Sequence, residues 1–110
     1  MARPPEQFDI AVEEREGVVV VRPKGELDLA TAPLLDEILR ELAGRGANAV
    51  LDLSETAFID SSGIRTVLGA YAASRRDGFG LTMLPGPPAV MRVLELSGVR
   101  DRLPFGDQPS

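Results

Sequence analysis

Apolar residues recur along this chain with two periods, and each period predicts an element. Phe8, Ile10 and Val12 alternate with Asp9, Ala11 and Glu13, the period-2 pattern of an edge or half-buried strand, and the valine-rich run at 17–22 suits a central strand. Arg15-Glu16-Gly17 between them predicts the turn of a hairpin. Beyond Gly25-Glu26-Leu27-Asp28 the spacing becomes helical. Thr31 can cap a helix whose first turn tolerates Pro33, with Leu34, Leu35, Ile38, Leu39 and Leu42 on one face and Gly44 and Gly46 at its end.

Residues 48–53 read as a short apolar strand and 54–59 as a crossing into the next helix. Ile64, Val67, Leu68 and Tyr71 fall at i, i+3, i+4 and i+7, which predicts a helix over 61–77 closed by Gly78. A strand at 81–84, a Pro85-Gly86 turn and a helix opened by Pro87-Pro88 complete the pattern, with Val90, Val93 and Leu94 inward and a stop at Gly98. A hairpin that leads into right-handed β-α-β crossovers describes one α/β domain, a mixed β-sheet packed with α-helices. The domain is expected over 8–106, with 1–7 and 107–110 as frayed ends.

Composition narrows the chemistry. At 110 residues the chain fits one domain, which buries roughly two-thirds of its unfolded surface. With four Phe, one Tyr and no Trp, the core is expected to be aliphatic. A net charge of -5, with no basic run longer than Arg75-Arg76, argues against a nucleic-acid partner. The first residues lack the apolar run of a signal peptide, and no stretch approaches the ~18 apolar residues of a membrane span, so the expected location is cytoplasmic with no membrane partner. The absence of Cys and His removes thiolate nucleophiles, Ser-His triads and the usual zinc sites. No Gly-x-Ser-x-Gly or phosphate-binding Gly-x-x-x-x-Gly-Lys motif occurs either. The expectation is a protein that is not an enzyme and carries no cofactor or metal.

The densest chemistry stands at Asp60-Ser61-Ser62-Gly63, where four small or polar residues open a helix. The first backbone N–H groups of a helix lack intrahelical partners and the macrodipole is positive there, so an anion is favoured by roughly 0.3–1 kcal/mol. Asp and Ser are also the commonest N-caps. Capping does not require Gly63, which costs about 1 kcal/mol relative to Ala inside a helix and points to close approach by another backbone.

Together with this turn, Gly25-Glu26-Leu27-Asp28, Leu51-Asp52-Leu53-Ser54, Phe58-Ile59 and Leu96-Ser97-Gly98-Val99 resemble the STAS domain family, and more narrowly its stand-alone anti-sigma factor antagonists. The resemblance implies that Ser61, the serine next to the aspartate, is phosphorylated by an anti-sigma factor serine kinase with a histidine-kinase-like ATPase fold. It further implies that the unphosphorylated chain binds that kinase and releases the sigma factor, and that a PP2C-type phosphatase resets the switch. The partner-binding residues expected with Ser61 are Asp28, whose loop the resemblance places near the serine turn, Asp60, Ser62 and Gly63 of the turn itself, and Arg65, four residues after Ser61.

Each of these has a plainer role beside it. Asp60 can be the helix cap, or it can orient the Ser61 hydroxyl and contact the kinase. Arg65 can reach back to a phosphate or lie solvated on the surface. Asp28 can meet the partner or hold a cap or turn. An alternative role on the same fold is a STAS subunit of a sensory complex or an accessory protein of a transporter.

Overall fold

The structure, a computed structural model, describes residues 8–106, so the ends expected to fray, 1–7 and 107–110, lie outside the described residues. Strands β1 (Asp9–Arg15) and β2 (Val18–Leu27) form the expected hairpin, antiparallel from Asp9 opposite Lys24 to Arg15 opposite Val18. Glu16 and Gly17 between them both have positive φ, 53° and 85°, as a type I′ turn requires. Phe8 is buried at one end of the hairpin and Val12 is 48% exposed nearer the other, so the hairpin runs off the core toward its turn.

β2 extends past the expected end at Arg22 to Leu27, through Pro23. The proline is tolerated because it falls where β2 changes partners. β3 (Asn48–Asp52) lies parallel to β2 only over Val18–Val21, and β4 (Thr56–Ile59) only from Gly25 onward. The missing Pro23 N–H thus sits between two parallel ladders, and its carbonyl accepts the Thr56 hydroxyl at 3.1 Å. Gly25, at φ 113°, takes the register shift with which the second ladder begins. β5 (Leu81–Leu84) lies parallel to β3, giving the order β1-β2-β3-β5 with β4 on the far part of β2. The segment 54–59, read as a crossing, therefore contains a strand. Its burial runs buried, exposed, exposed, buried, which erases the alternation that would have revealed it.

Helices α1 (Ala32–Gly44), α2 (Ser61–Asp77) and α3 (Pro88–Leu96) match the expected spans closely. Leu35, Leu39 and Leu42 of α1 join Val67, Val90 and Leu94 against Val21, Leu27, Leu51, Leu53, Ile59 and Met83 in one aliphatic core. Leu34 does not; it is 51% exposed, because a helix turns about 100° per residue and Leu34 stands one such step from Leu35. Past α3 a single 3₁₀ turn, Arg100–Arg102, returns the chain to β5. There Met83 N–H donates to Pro104 O and Gly106 N–H donates to Met83 O, each at 2.9 Å.

One buried charge ties the sheet together. Arg22 Nε donates to Asp52 Oδ2 at 3.0 Å, and Asp52 Oδ1 accepts the Ser54 N–H at 2.9 Å. Glu13 lies 3.5 Å from the same guanidinium. Burial pushes the Asp52 carboxyl up, but its bonds from Ser54 and the Arg22 guanidinium outweigh it and hold the group below the usual carboxylate range. A carboxylate with a depressed folded pKa contributes stability above its unfolded value of about 3.9, and that contribution disappears as pH falls through the folded value. We expect Asp52→Asn to lower stability at pH 7 by about 1–3 kcal/mol and to flatten the acid limb below about pH 4. Urea denaturation at a series of pH values measures both; an acid limb unchanged in the variant would place the dependence elsewhere.

Candidate functional site

Two loops meet where β2 and β4 end side by side. Leu27 pairs with Ile59, and the next residue of each strand is an aspartate, Asp28 and Asp60. Asp60 N–H donates to Leu27 O at 3.2 Å, so the turn into α2 hangs on the last residue of β2. Loops beyond the carboxyl ends of parallel strands are the common ligand side of α/β sheets.

Asp60 is the cap of α2. Its backbone is extended, its Oδ1 accepts the Ser62 N–H at 2.8 Å and the Gly63 N–H at 3.3 Å, and its carbonyl accepts the Ile64 N–H at 3.0 Å. Two of the orphan amides of the first turn are thereby satisfied. Ser61, the first helical residue, is exposed, and its hydroxyl makes no hydrogen bond among the described residues. Ser62 is half-buried. Gly63 is closely approached, by two side chains as well as by the backbone the sequence pointed to: a Cβ there would stand 2.8 Å from Ile59 Cγ1, 2.9 Å from Leu27 Cγ and 3.0 Å from Leu27 O.

Asp28 holds a turn. Its Oδ1 accepts the Ala30 N–H at 3.0 Å and the Thr31 N–H at 3.2 Å, and its carbonyl accepts the Ala32 N–H at 2.8 Å. Thr31 stands at the N-cap position of α1 but does not cap it with its side chain. Pro33 has no N–H to offer, and the Thr31 hydroxyl is used in the loop, donating to Glu26 O at 2.7 Å and accepting the Asp28 N–H at 2.9 Å. Arg65 is exposed, one turn into α2, and makes no ion pair among the described residues.

The structure thus gathers Asp28, Asp60, Ser61, Ser62 and Gly63 at one end of the sheet and sets Arg65 along the helix below. Sequence reasoning passed over two neighbours. Leu29, 76% exposed, follows Asp28 in the loop, and Phe58, 44% exposed, stands on β4 opposite Glu26. Leu29 belongs to no periodic segment, and Phe58 lies in the segment read only as a crossing. An exposed hydroxyl on a rigid turn, flanked by two carboxylates and by large apolar side chains, can be modified and can be docked against.

Gly63 and Gly69 of α2 provide a matched test of that rigidity, since a Cβ at Gly69 meets nothing within 4 Å. We expect Gly63→Ala to destabilise the protein by about 1–3 kcal/mol through overpacking, and Gly69→Ala to stabilise it by about 0.4–1 kcal/mol. Paired chemical denaturation curves decide; equal effects at the two positions would show that Leu27 can yield to the added methyl.

The sequence profile of the STAS domain family matches residues 9–109. An anti-sigma F factor antagonist of Paenibacillus polymyxa is 33% identical over 102 residues, covering 91% of this chain and 87% of that protein. The crystal structure of an anti-sigma factor antagonist from Mycobacterium paratuberculosis superposes with a TM-score of 0.78 at 28% identity, over 98% of this chain and 92% of its own. The Bacillus anti-sigma factor antagonist SpoIIAA shares the fold in its unphosphorylated form (TM-score 0.73, 23% identity, 91% of this chain and 90% of that one). It shares it also in its phosphorylated form (0.68, 22%, 91% and 93%). The profile covers both loops of the site and every element that positions them, and the chain belongs to the STAS domain family.

Proposed function

We propose that this chain is an anti-sigma factor antagonist: unphosphorylated, it binds an anti-sigma factor that is also a serine kinase and so frees the sigma factor, and phosphorylation of Ser61 by that kinase ends the binding. The observation that carries the reading is the Ser61 hydroxyl, exposed and without a hydrogen bond among the described residues, on the first residue of a helix whose cap and backbone contacts are fixed. The role named for the Paenibacillus polymyxa relative supports it. Ser62, half-buried with its amide tied to Asp60, is the poorer acceptor. A PP2C-type phosphatase returns Ser61 to the hydroxyl, and the exchange takes place in the cytoplasm.

The cap determines how the phosphate acts. The Ser62 and Gly63 amides, which would otherwise draw an anion into the helix end, already serve the Asp60 carboxylate. A phosphate on Ser61 therefore projects to solvent, adding about -1.5 to -2 charge beside Asp60 and close to Asp28. The fold stays as it is, and one face becomes strongly acidic. Asp28, Asp60, Ser62, Gly63 and Arg65 are the surroundings of that face, and a kinase that already holds the phosphates of ATP is repelled from it.

Incubating the protein with its cognate anti-sigma factor and Mg-ATP, then mapping phosphate by mass spectrometry, tests the assignment. We expect modification of Ser61, its loss in Ser61→Ala with kinase binding retained, and its persistence in Ser62→Ala. The phosphorylated form should give the circular dichroism spectrum of the free protein while losing kinase binding. Labelling that disappears in Ser62→Ala but not in Ser61→Ala would overturn the residue, and a melted phospho-form would overturn the mechanism.

A further inference from the structure

A groove of about 570 Å³ runs between α1 and α2, within the usual range of small-molecule sites, ~300–1,000 Å³. Its floor is apolar, built from Leu39, Ala43, Ala70, Ala73 and Phe79. Its charged rim is Arg40, Arg65 and Arg76 against Asp36 alone, a basic lining on a chain whose net charge is -5. Arg40 is held by Asp36 at 2.7 Å and Arg76 by Asp77 at 3.3 Å. Arg65, beside Ser62 in the lining, has no ion-pair partner among the described residues.

Gly69 is the second observation. It stands in the middle of α2, where glycine is the poorest choice after proline, yet a Cβ there would meet nothing within 4 Å. No close approach demands it, in contrast to Gly63. What the missing side chain does is keep the groove open along its length.

Charge and lining restrict the occupant. Arg65 and Arg76 are eleven residues apart on one helix, so the groove follows α2 for about 16 Å. A guanidinium without an ion-pair partner among the described residues at one end, and an apolar floor beyond it, complement an anionic head joined to a hydrocarbon chain. We propose that the groove binds a single-chain amphiphile with an anionic head, a medium-chain fatty acid being the simplest member. The carboxylate lies at Arg65 and Ser62, and the chain runs past Gly69 and Ala73 toward Phe79.

Dodecanoate, kept below its micellar concentration and titrated into the ¹⁵N-labelled full chain, is the probe, with calorimetry for affinity. The expected result is saturable one-to-one binding with amide shifts at Gly69, Ala73 and Phe79. Arg65→Gln should weaken binding at least tenfold, as should replacing dodecanoate by dodecanol. Gly69→Leu, whose side chain enters open space and favours the helix, should abolish binding with the fold retained. Non-saturable binding, or unchanged affinity in either variant, would overturn the proposal. So would groove shifts that grow with protein concentration alone, which would make a second copy of the chain the occupant.

Discussion

The ten residues of β2 serve three partners, and most of the molecule follows from how they are shared. β1 pairs along nearly the whole strand, β3 takes the first part and β4 the last. Such a strand needs a break where one parallel partner leaves and the next arrives, and Pro23 and Gly25 supply it: one removes a donor where no ladder needs it, the other bends the backbone at φ 113°. The Thr56 hydroxyl on Pro23 O and the Gly25 N–H on Glu55 O, at 3.1 Å each, fasten the incoming segment. Without that exchange Leu27 would not lie beside Ile59, and the turn at Asp60 would have nothing to hang on.

The site inherits its character from this frame. Asp60 is bound through its N–H to β2, through its carboxylate to two amides of α2 and through its carbonyl to a third. A residue held at so many atoms fixes the direction in which its neighbour leaves the chain. The helix N-terminus, by itself an attractive place for an anion, is made neutral ground because a carboxylate already sits on it. Electrostatics at the surface then depend on what is added outside the cap rather than on what the helix end attracts.

Much of this was legible in the sequence. Helical periods gave α1, α2 and α3, and the hairpin turn was written in Glu16-Gly17. Gly63 announced a close contact because nothing else excuses a glycine in a first turn. The misreadings have different causes. β4 has four residues and no alternation, and it is a strand through its pairing with the distant β2; Thr31 has the composition of a cap but spends its hydroxyl on neighbours within five residues in the loop; Leu34 belongs to an apolar list but, one helical step from Leu35, not to the stripe. The basic groove was hidden because Arg40 and Arg65 come together only when α1 lies against α2.

Gly63 and Ser61 are two residues apart and have opposite freedoms. At one, a single methyl group collides with Leu27 and Ile59; at the other, a side chain of any size extends into water. The turn therefore separates what must be kept from what can be rewritten. Its message can be changed, by substitution or by a covalent group, without touching the page it is written on.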